Sequence, residues 1–207
     1  MTKKKIKPHF GILSIILLVI IAVLIVADLL TKHFEVEYKW NAVIIPHVVE
    51  IDSGHKNWGI AFGIPIGSIP VLIITFILLA AMIFSFIVLP NRYVLLKVAI
   101  SLVIAGAIGN IVDRIALGYV RDWFGLWMFG GMTYCNFADF FIVIGAILAA
   151  VDMLFINEIA VFPLTKKAKA FQAARKEEEE RKKAEAASTD SVSVEDEIKE
   201  DKTEEDK

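Results

Sequence analysis

In a chain of 207 residues that is 57% apolar with a formal net charge of -2, charge is confined to the ends and a few short segments. That distribution excludes an ordinary soluble domain and points to an integral membrane protein. Basic residues flank the apolar runs and the acidic excess lies in the C-terminal tail, so nothing suggests nucleic-acid binding, and a single cysteine, Cys135, allows neither an internal disulfide nor a thiolate metal cluster.

Lys3, Lys4, Lys5 and Lys7 precede an unbroken apolar run from Phe10 to Leu30, about the ~20 residues needed to cross a bilayer. The run is longer than the apolar region of a signal peptide and lacks a small-x-small cleavage signal, so a retained transmembrane helix is expected. At its far end Asp28 and Lys32 stand four apart on one helix face, with the acid N-terminal to the base. Taken alone, they read more simply as an interfacial salt pair that only sets helix depth than as part of a site.

From His33 to Ser68 the chain turns polar and β-branched. Glu35 to Lys39 alternates, Val43 to Ile51 alternates around Pro46, and Ser53-Gly54 is a turn signal, so a small β-platform of short strands is expected over 33–68. Asn57-Trp-Gly59-Ile-Ala61-Phe62-Gly63 follows, with glycines where the backbone needs positive φ or close approach to another segment.

A second apolar span, Ile69 to Leu89, ends at Pro90-Asn91-Arg92, and a third runs from Tyr93 to Val112, so the two form an antiparallel hairpin. Ala105, Gly106 and Gly109 permit close helix packing. Asn110, Asp113 and Arg114, at i, i+3 and i+4, share one face of the last turn. Trp123 to Tyr134, rich in aromatic residues and holding two adjacent glycines, reads as an interfacial loop or short helix. All four tryptophans, Trp40, Trp58, Trp123 and Trp127, fall on the same side, as an aromatic belt requires. A fourth span runs from Phe137 to Ile156, with Asp152 near its inner end as a snorkelling carboxylate or a partner for Lys97.

The expected fold is therefore integral membrane and mainly α: four transmembrane helices over 10–30, 69–89, 93–112 and 137–156, a small extracytoplasmic β-platform and an interfacial aromatic loop. By the positive-inside rule, Lys3 to Lys7, Arg92 with Lys97, and Lys166, Lys167 and Lys169 lie on one side, which puts both termini in the cytoplasm. Residues 1–163 form the membrane domain. Residues 164–207 form a charged tail, helical where Glu177 to Glu179 precede Arg181 to Lys183 by four, then disordered and acidic.

Asp122 and Asp139 are separated by one segment whose ends return to the same membrane surface, so the two carboxylates can face each other at the mouth of a helix bundle. Ionisable groups are costly there and are functional by default. Two close carboxylates do not both ionise cheaply, and one that keeps its proton beside one that has lost it supplies the acid and base for hydrolysis by water. Asn136 and Asp139 have the spacing of a capping box, which puts Asp139 in a first helical turn where its ionised form is favoured and makes it the expected base. Helix capping and arginine pairing are the structural alternative, and Asp113 beside Arg114 fits it better than Asp122 does.

Five segments in order, Asp28-Leu-Leu-Thr-Lys32, Asn57-x-Gly59-x-Ala61-Phe62, Gly106-Ala-x-Gly109-Asn110-x-x-Asp113-Arg114, Gly118-x-Val120-x-Asp122 and Asn136-x-Ala138-Asp139, resemble the lipoprotein signal peptidases, or signal peptidase II. These are bacterial inner-membrane aspartic peptidases. The resemblance covers about residues 10–160. It implies a catalytic pair at Asp122 and Asp139, with Asp28, Lys32, Asn57, Gly59, Asn110, Asp113, Arg114 and Asn136 forming the site or orienting substrate. It implies diacylglyceryl-modified prolipoproteins as substrate, cut on the N-terminal side of the lipidated cysteine, with membrane lipids around a monomer and no metal or cofactor. Cys135 stands where the family usually has phenylalanine, and Arg121 and Trp123 flank Asp122 where apolar residues and phenylalanine are usual. The competing class is a small proton-coupled transporter, since membrane carboxylates also mark proton relays, although transporter sites lie near the midplane.

Overall fold

A computed structural model of the chain describes residues 10–59, 68–128, 130–158 and 160–182. In chain order it has α1 (Ile12–Tyr38), β1 (Asn41–Ile45), β2 (Val49–Asn57), α2 (Ser68–Val88), α3 (Val94–Leu117), β3 (Val120–Met128), β4 (Gly131–Cys135) and α4 (Phe137–Val151), which continues as a π-helical turn, Asp152–Ile156. Four stretches are long and apolar enough to cross a membrane: Ile12–Tyr38, Ile69–Val88, Val94–Leu117 and Phe137–Ile156. They match the apolar runs in the sequence because a bilayer leaves no other economical way to satisfy so many buried peptide groups.

Two elements differ from the sequence expectation. The alternation from Glu35 to Lys39 is not a strand: α1 runs through it to Tyr38 and is closed by Lys39 in the left-handed region (φ 47), whose N–H donates to the Glu35 carbonyl. Asp28, Lys32 and Glu35 fall at i, i+4 and i+7 on the packed face of that helix, and all three are fully buried. Burial on a helical face overrides a short period-two pattern. Nor is the aromatic segment from Trp123 to Tyr134 a loop or helix. It forms a hairpin of β3 and β4, with Trp127 opposite Met132 and Phe124 opposite Cys135. Aromatic residues suit a pleated, half-buried surface, and the glycines lie at the hairpin end, Gly130 with φ 86.

The sheet is antiparallel throughout, in the order β1-β2-β3-β4. Its central pair, β2 and β3, puts His55 opposite Asp122 and Lys56 opposite Arg121, with a register shift between Ile51 and His55. Trp123 is buried, with its ring edge-on to Trp40 at 5.2 Å and to Phe137 at 5.1 Å, so it packs the sheet onto the helix ends. Trp58 and Trp127 are exposed, as belt residues are.

Leu17, Ile21, Phe86, Ile100, Ile104 and Ala105 form the buried core of α1, α2 and α3. On α3 a side chain at Gly106 would strike the Ala138 carbonyl, and one at Gly109 would reach the Asp28 carboxylate. These two positions need the missing Cβ for α4 and α1 to approach. At the other end of α3, buried Lys97 donates to Asn91 Oδ1 at 2.6 Å and Ser14 Oγ at 3.1 Å.

The chain divides into two compact units, Met1–Ala150 and Val151–Lys207. In the second, Asp152 accepts from Asn157 Nδ2 at 3.3 Å, and Ala168, on a helix running from 166 to 182, is buried. The lysines at 3–7, Ala61, Phe62 and the tail from 183 lie outside the described residues.

Candidate active site

Four elements bring the polar residues together: the C-terminal turns of α1 and α3, the start of β3, and the first turn of α4. The turn from α3 into β3 is made by Gly118, in the left-handed region at φ 82, whose N–H donates to the Arg114 carbonyl. It folds β3 back beside the helix it has just left, which puts Arg121 and Asp122 next to Asp113.

The start of α4 carries the capping box expected from its sequence. Asn136 Oδ1 accepts from the Asp139 N–H at 3.1 Å, and Asp139 Oδ2 accepts from the Asn136 N–H at 3.1 Å. The amide group of Asn136 does more than cap. Its Nδ2 donates to Asp122 Oδ1 at 2.6 Å and to the Arg121 carbonyl at 3.3 Å. One side chain therefore touches both aspartates, and it is fully buried.

A second route reaches Asp139 from α1. Lys32 Nζ pairs with Asp28 Oδ2 at 2.7 Å and donates to Asn110 Oδ1 at 2.9 Å. That bond fixes which way the Asn110 amide points, so its Nδ2 donates to Asp139 Oδ1 at 2.8 Å. Asp28 Oδ1 accepts the free N–H of Ala138 at the start of α4, at 2.9 Å. Buried charge here is paired and bonded, without which it would cost several kcal/mol per group.

Asp113, expected to be structural or site-forming, holds Arg121. Its Oδ1 accepts from Arg121 Nη2 at 2.6 Å, and its Oδ2 from Arg121 Nε at 3.2 Å and the Arg121 backbone N–H at 3.0 Å. Arg114, next to it in sequence, instead donates through Nη2 to the Gly59 carbonyl at 2.9 Å. Gly59 N–H in turn donates to Asn57 Oδ1 at 3.0 Å, and the Asn57 side chain also hydrogen-bonds Asp122. All ten residues singled out in the sequence thus fall in one bonded cluster.

Burial pushes the Asp122 carboxyl up from the ordinary carboxylate value, and the nearby charge of Asp139 adds to the rise, to about 7. Bonds from Asn57 and Asn136 and the charge of Lys32 oppose it. Asp122 is 2% exposed. The Cys135 thiol, which donates to the Phe124 carbonyl at 3.4 Å, is pushed up to about 12, first by burial and then by Asp139 and Asp122. It stays protonated and is no nucleophile at neutral pH. Among the described residues no group of three or more His, Cys, Asp or Glu is placed to hold a metal ion.

Two residues of the cluster were not singled out as site residues. Arg121 is visible in the sequence only as a charged neighbour of Asp122, and Glu35 only as part of an alternating segment. A helical reading of α1 extended by two turns would have put Glu35 on the face of Asp28 and Lys32.

The family model for signal peptidase II matches residues 20–155. The lipoprotein signal peptidases of Staphylococcus aureus strains JH9 and Newman are each 41% identical to the chain over 113 residues, 54% of this chain and 69% of theirs. Two solved structures of a bacterial membrane enzyme, obtained by the in meso method at 2.3 and 1.9 Å resolution, are similar in fold. Their TM-scores are 0.60 and 0.59 at 32% and 33% identity, covering 72% of this chain and 92% and 97% of theirs.

Proposed function

The chain belongs to the signal peptidase II family, a group of membrane proteases, and from that membership we propose that it is an aspartic endopeptidase that removes the signal peptide from diacylglyceryl-modified prolipoproteins. The cut falls on the N-terminal side of the lipidated cysteine. The observation that carries the assignment of the acids is Asn136, whose one side chain bonds Asp122 and caps the turn that holds Asp139.

In the resting site Asp122 holds the proton, because the first turn of α4 favours the ionised form at Asp139. Asp139, accepting N–H bonds from Asn110 and Asn136, is the carboxylate. Asp139 takes a proton from water as the water oxygen bonds to the scissile carbonyl carbon, and Asp122 gives its proton to the carbonyl oxygen. The gem-diol then collapses: the C–N bond breaks, the leaving nitrogen receives a proton from Asp139, and a hydroxyl proton returns to Asp122.

Asp28, Lys32, Asn110 and Asn136 position the pair, while Asp113 holds β3 through Arg121. Asn57, Gly59 and Arg114 bond one another beside Asp122, where substrate backbone would pass. The sheet and site face the extracytoplasmic surface, both termini lie in the cytoplasm, and residues 1–163 act as a monomeric domain with the tail outside the chemistry. A proton relay would place carboxylates near mid-membrane; here Asp139 is in a first helical turn and Asp122 on a strand. The test is incubation of the purified protein in detergent with a diacylglyceryl-modified prolipoprotein and its unlipidated precursor. Mass spectrometry should find a product beginning at the lipidated cysteine from the first only. Cleavage elsewhere, or of both, would contradict the reading.

A further inference from the structure

Arg121 is a charge that the resemblance does not call for, and its side chain makes three hydrogen bonds within the cluster. Its fork grips both oxygens of Asp113, and its Nη1 donates to the Lys32 carbonyl at 3.0 Å, so a single side chain ties β3 to the ends of α3 and α1. Its own carbonyl accepts from Asn136 Nδ2. Burial works against its charge, but the bond to Asp113 and the carboxylates of Asp113, Glu35 and Asp28 outweigh that and raise its pKa.

Its neighbours show what that charge does. Lys32 lies 2.7 Å from Asp28 and 3.8 Å from Asp113, so two carboxylates stand within reach of one ammonium that also orients Asn110. Arg121 occupies Asp113, and Lys32 is left to Asp28 and Asn110. We propose that Arg121 is a positioning residue for the reaction: by neutralising Asp113 it keeps Lys32 on Asn110, and so keeps the Asn110 amide on Asp139, while fixing the strand that carries Asp122. The inference rests on the reading of Asp122 and Asp139 as the acid and base.

Among the described residues the charged and titratable groups around this strand include Asp28, Lys32 and Glu35 of α1, Asp113 and Arg114 of α3, Asp139 of α4, Glu50, His55 and Lys56 of β2, and Tyr134 and Cys135 of β4. His55 bonds Asp52 at 2.9 Å and stacks on Tyr134, and the Lys56 ammonium lies over the Tyr119 ring at 5.0 Å. These two are occupied with other partners. Without Arg121, the cluster loses a cation that faces its acids, and Lys32 is drawn toward Asp113. Both changes favour the protonated form of Asp122, so the alkaline limb of the pH profile moves up.

The experiment compares Arg121→Gln, which keeps size and a donor but removes the charge, with Arg121→Lys, which keeps the charge and loses the fork. Each is purified as the full chain in detergent and checked for a single folded species, and cleavage of a diacylglyceryl-modified prolipoprotein is followed across pH. Arg121→Gln should lower kcat about tenfold or more, leave KM within about twofold, and raise the alkaline limb by about half a pH unit or more. Arg121→Lys should keep the limb in place with a smaller loss of kcat. Adding Asp113→Asn to Arg121→Gln removes the competitor for Lys32 and should return the limb toward wild type, which a merely structural arginine would not do. An unmoved limb in Arg121→Gln, or a double variant no closer to wild type than the single one, overturns the proposal. Infrared titration of carboxyl bands in protein labelled with carbon-13 aspartate reads the same shift without turnover. If wild type cuts nothing, the peptidase reading fails, while a shifted or unshifted carboxyl band still decides for or against Arg121.

Discussion

Replacing Asn136 by serine keeps one of its functions and removes another. Serine caps a helix about as well as asparagine, so its hydroxyl can still accept the Asp139 N–H, and the backbone bond to Asp139 Oδ2 is untouched. What is lost is the 2.6 Å bond from Nδ2 to Asp122 Oδ1 and the weaker one to the Arg121 carbonyl. A hydrogen bond to a charged group contributes about 1.5–3 kcal/mol, equivalent to about 1–2 pKa units. This bond favours the ionised carboxylate, so without it Asp122 titrates higher. In a pH profile of kcat/KM on lipidated prolipoprotein, the alkaline limb of Asn136→Ser should move from near 7 to about 8–9. The plateau should fall by about 10- to 100-fold, because the general acid is less well held. The thermal midpoint should shift by no more than about 3 °C, since the cap survives. A variant with the wild-type plateau and limb would show that the Asn136 amide does not govern Asp122, and the proposed role of the bridge would be wrong.

Other consequences follow from single contacts. Because Asp122 titrates near 7 in the fold and near 3.8 when exposed, the folded protein binds the extra proton between these values, so stability falls as pH rises through that window. The loss is of order 4 kcal/mol by pH 8. Asp122→Asn should flatten that dependence in thermal unfolding scans in detergent; an equally steep slope would argue against a raised Asp122. A methyl at Gly109 would come 2.5 Å from Asp28 Oδ2, so Gly109→Ala should cost about 1–3 kcal/mol and lower cleavage, measured by thermal midpoint and initial rate. Cys135→Ala should keep cleavage within about threefold, and a maleimide should leave the wild type active at pH 8, because a thiol titrating near 12 is almost wholly protonated there.

The spans were legible in the sequence because each is a long apolar run with a polar or proline-containing break after it, and a membrane enforces that pattern strictly. The sheet was legible only in part. Its central pairing joins β2 to β3 across two intervening helices, a contact that no local pattern encodes, and the aromatic density of β3 and β4 suits a membrane surface as well as a strand. The capping box at Asn136 was readable from spacing alone. Chain order suggested that Asp122 and Asp139 could face each other and the resemblance pointed to the same two, but spacing could not say that Asp122, on a strand, and Asp139, on a helix, are bridged by one asparagine. Arg121 was hidden for a related reason. Its partner Asp113 lies eight residues back, on a helix that the chain leaves by a left-handed glycine, and only the resulting reversal brings guanidinium and carboxylate together.

The central claim is that Asp122 and Asp139 act as one acid–base pair, and single replacement of each by asparagine tests it most directly. Asparagine keeps the size and one oxygen acceptor and removes the titrating proton. Wild type, Asp122→Asn and Asp139→Asn, each folded in detergent, would be given the same diacylglyceryl-modified prolipoprotein, and the released signal peptide quantified. Both variants should fall to background while still binding substrate. Cleavage by either variant within about tenfold of wild type would contradict the account, because the water would then be activated by some other group.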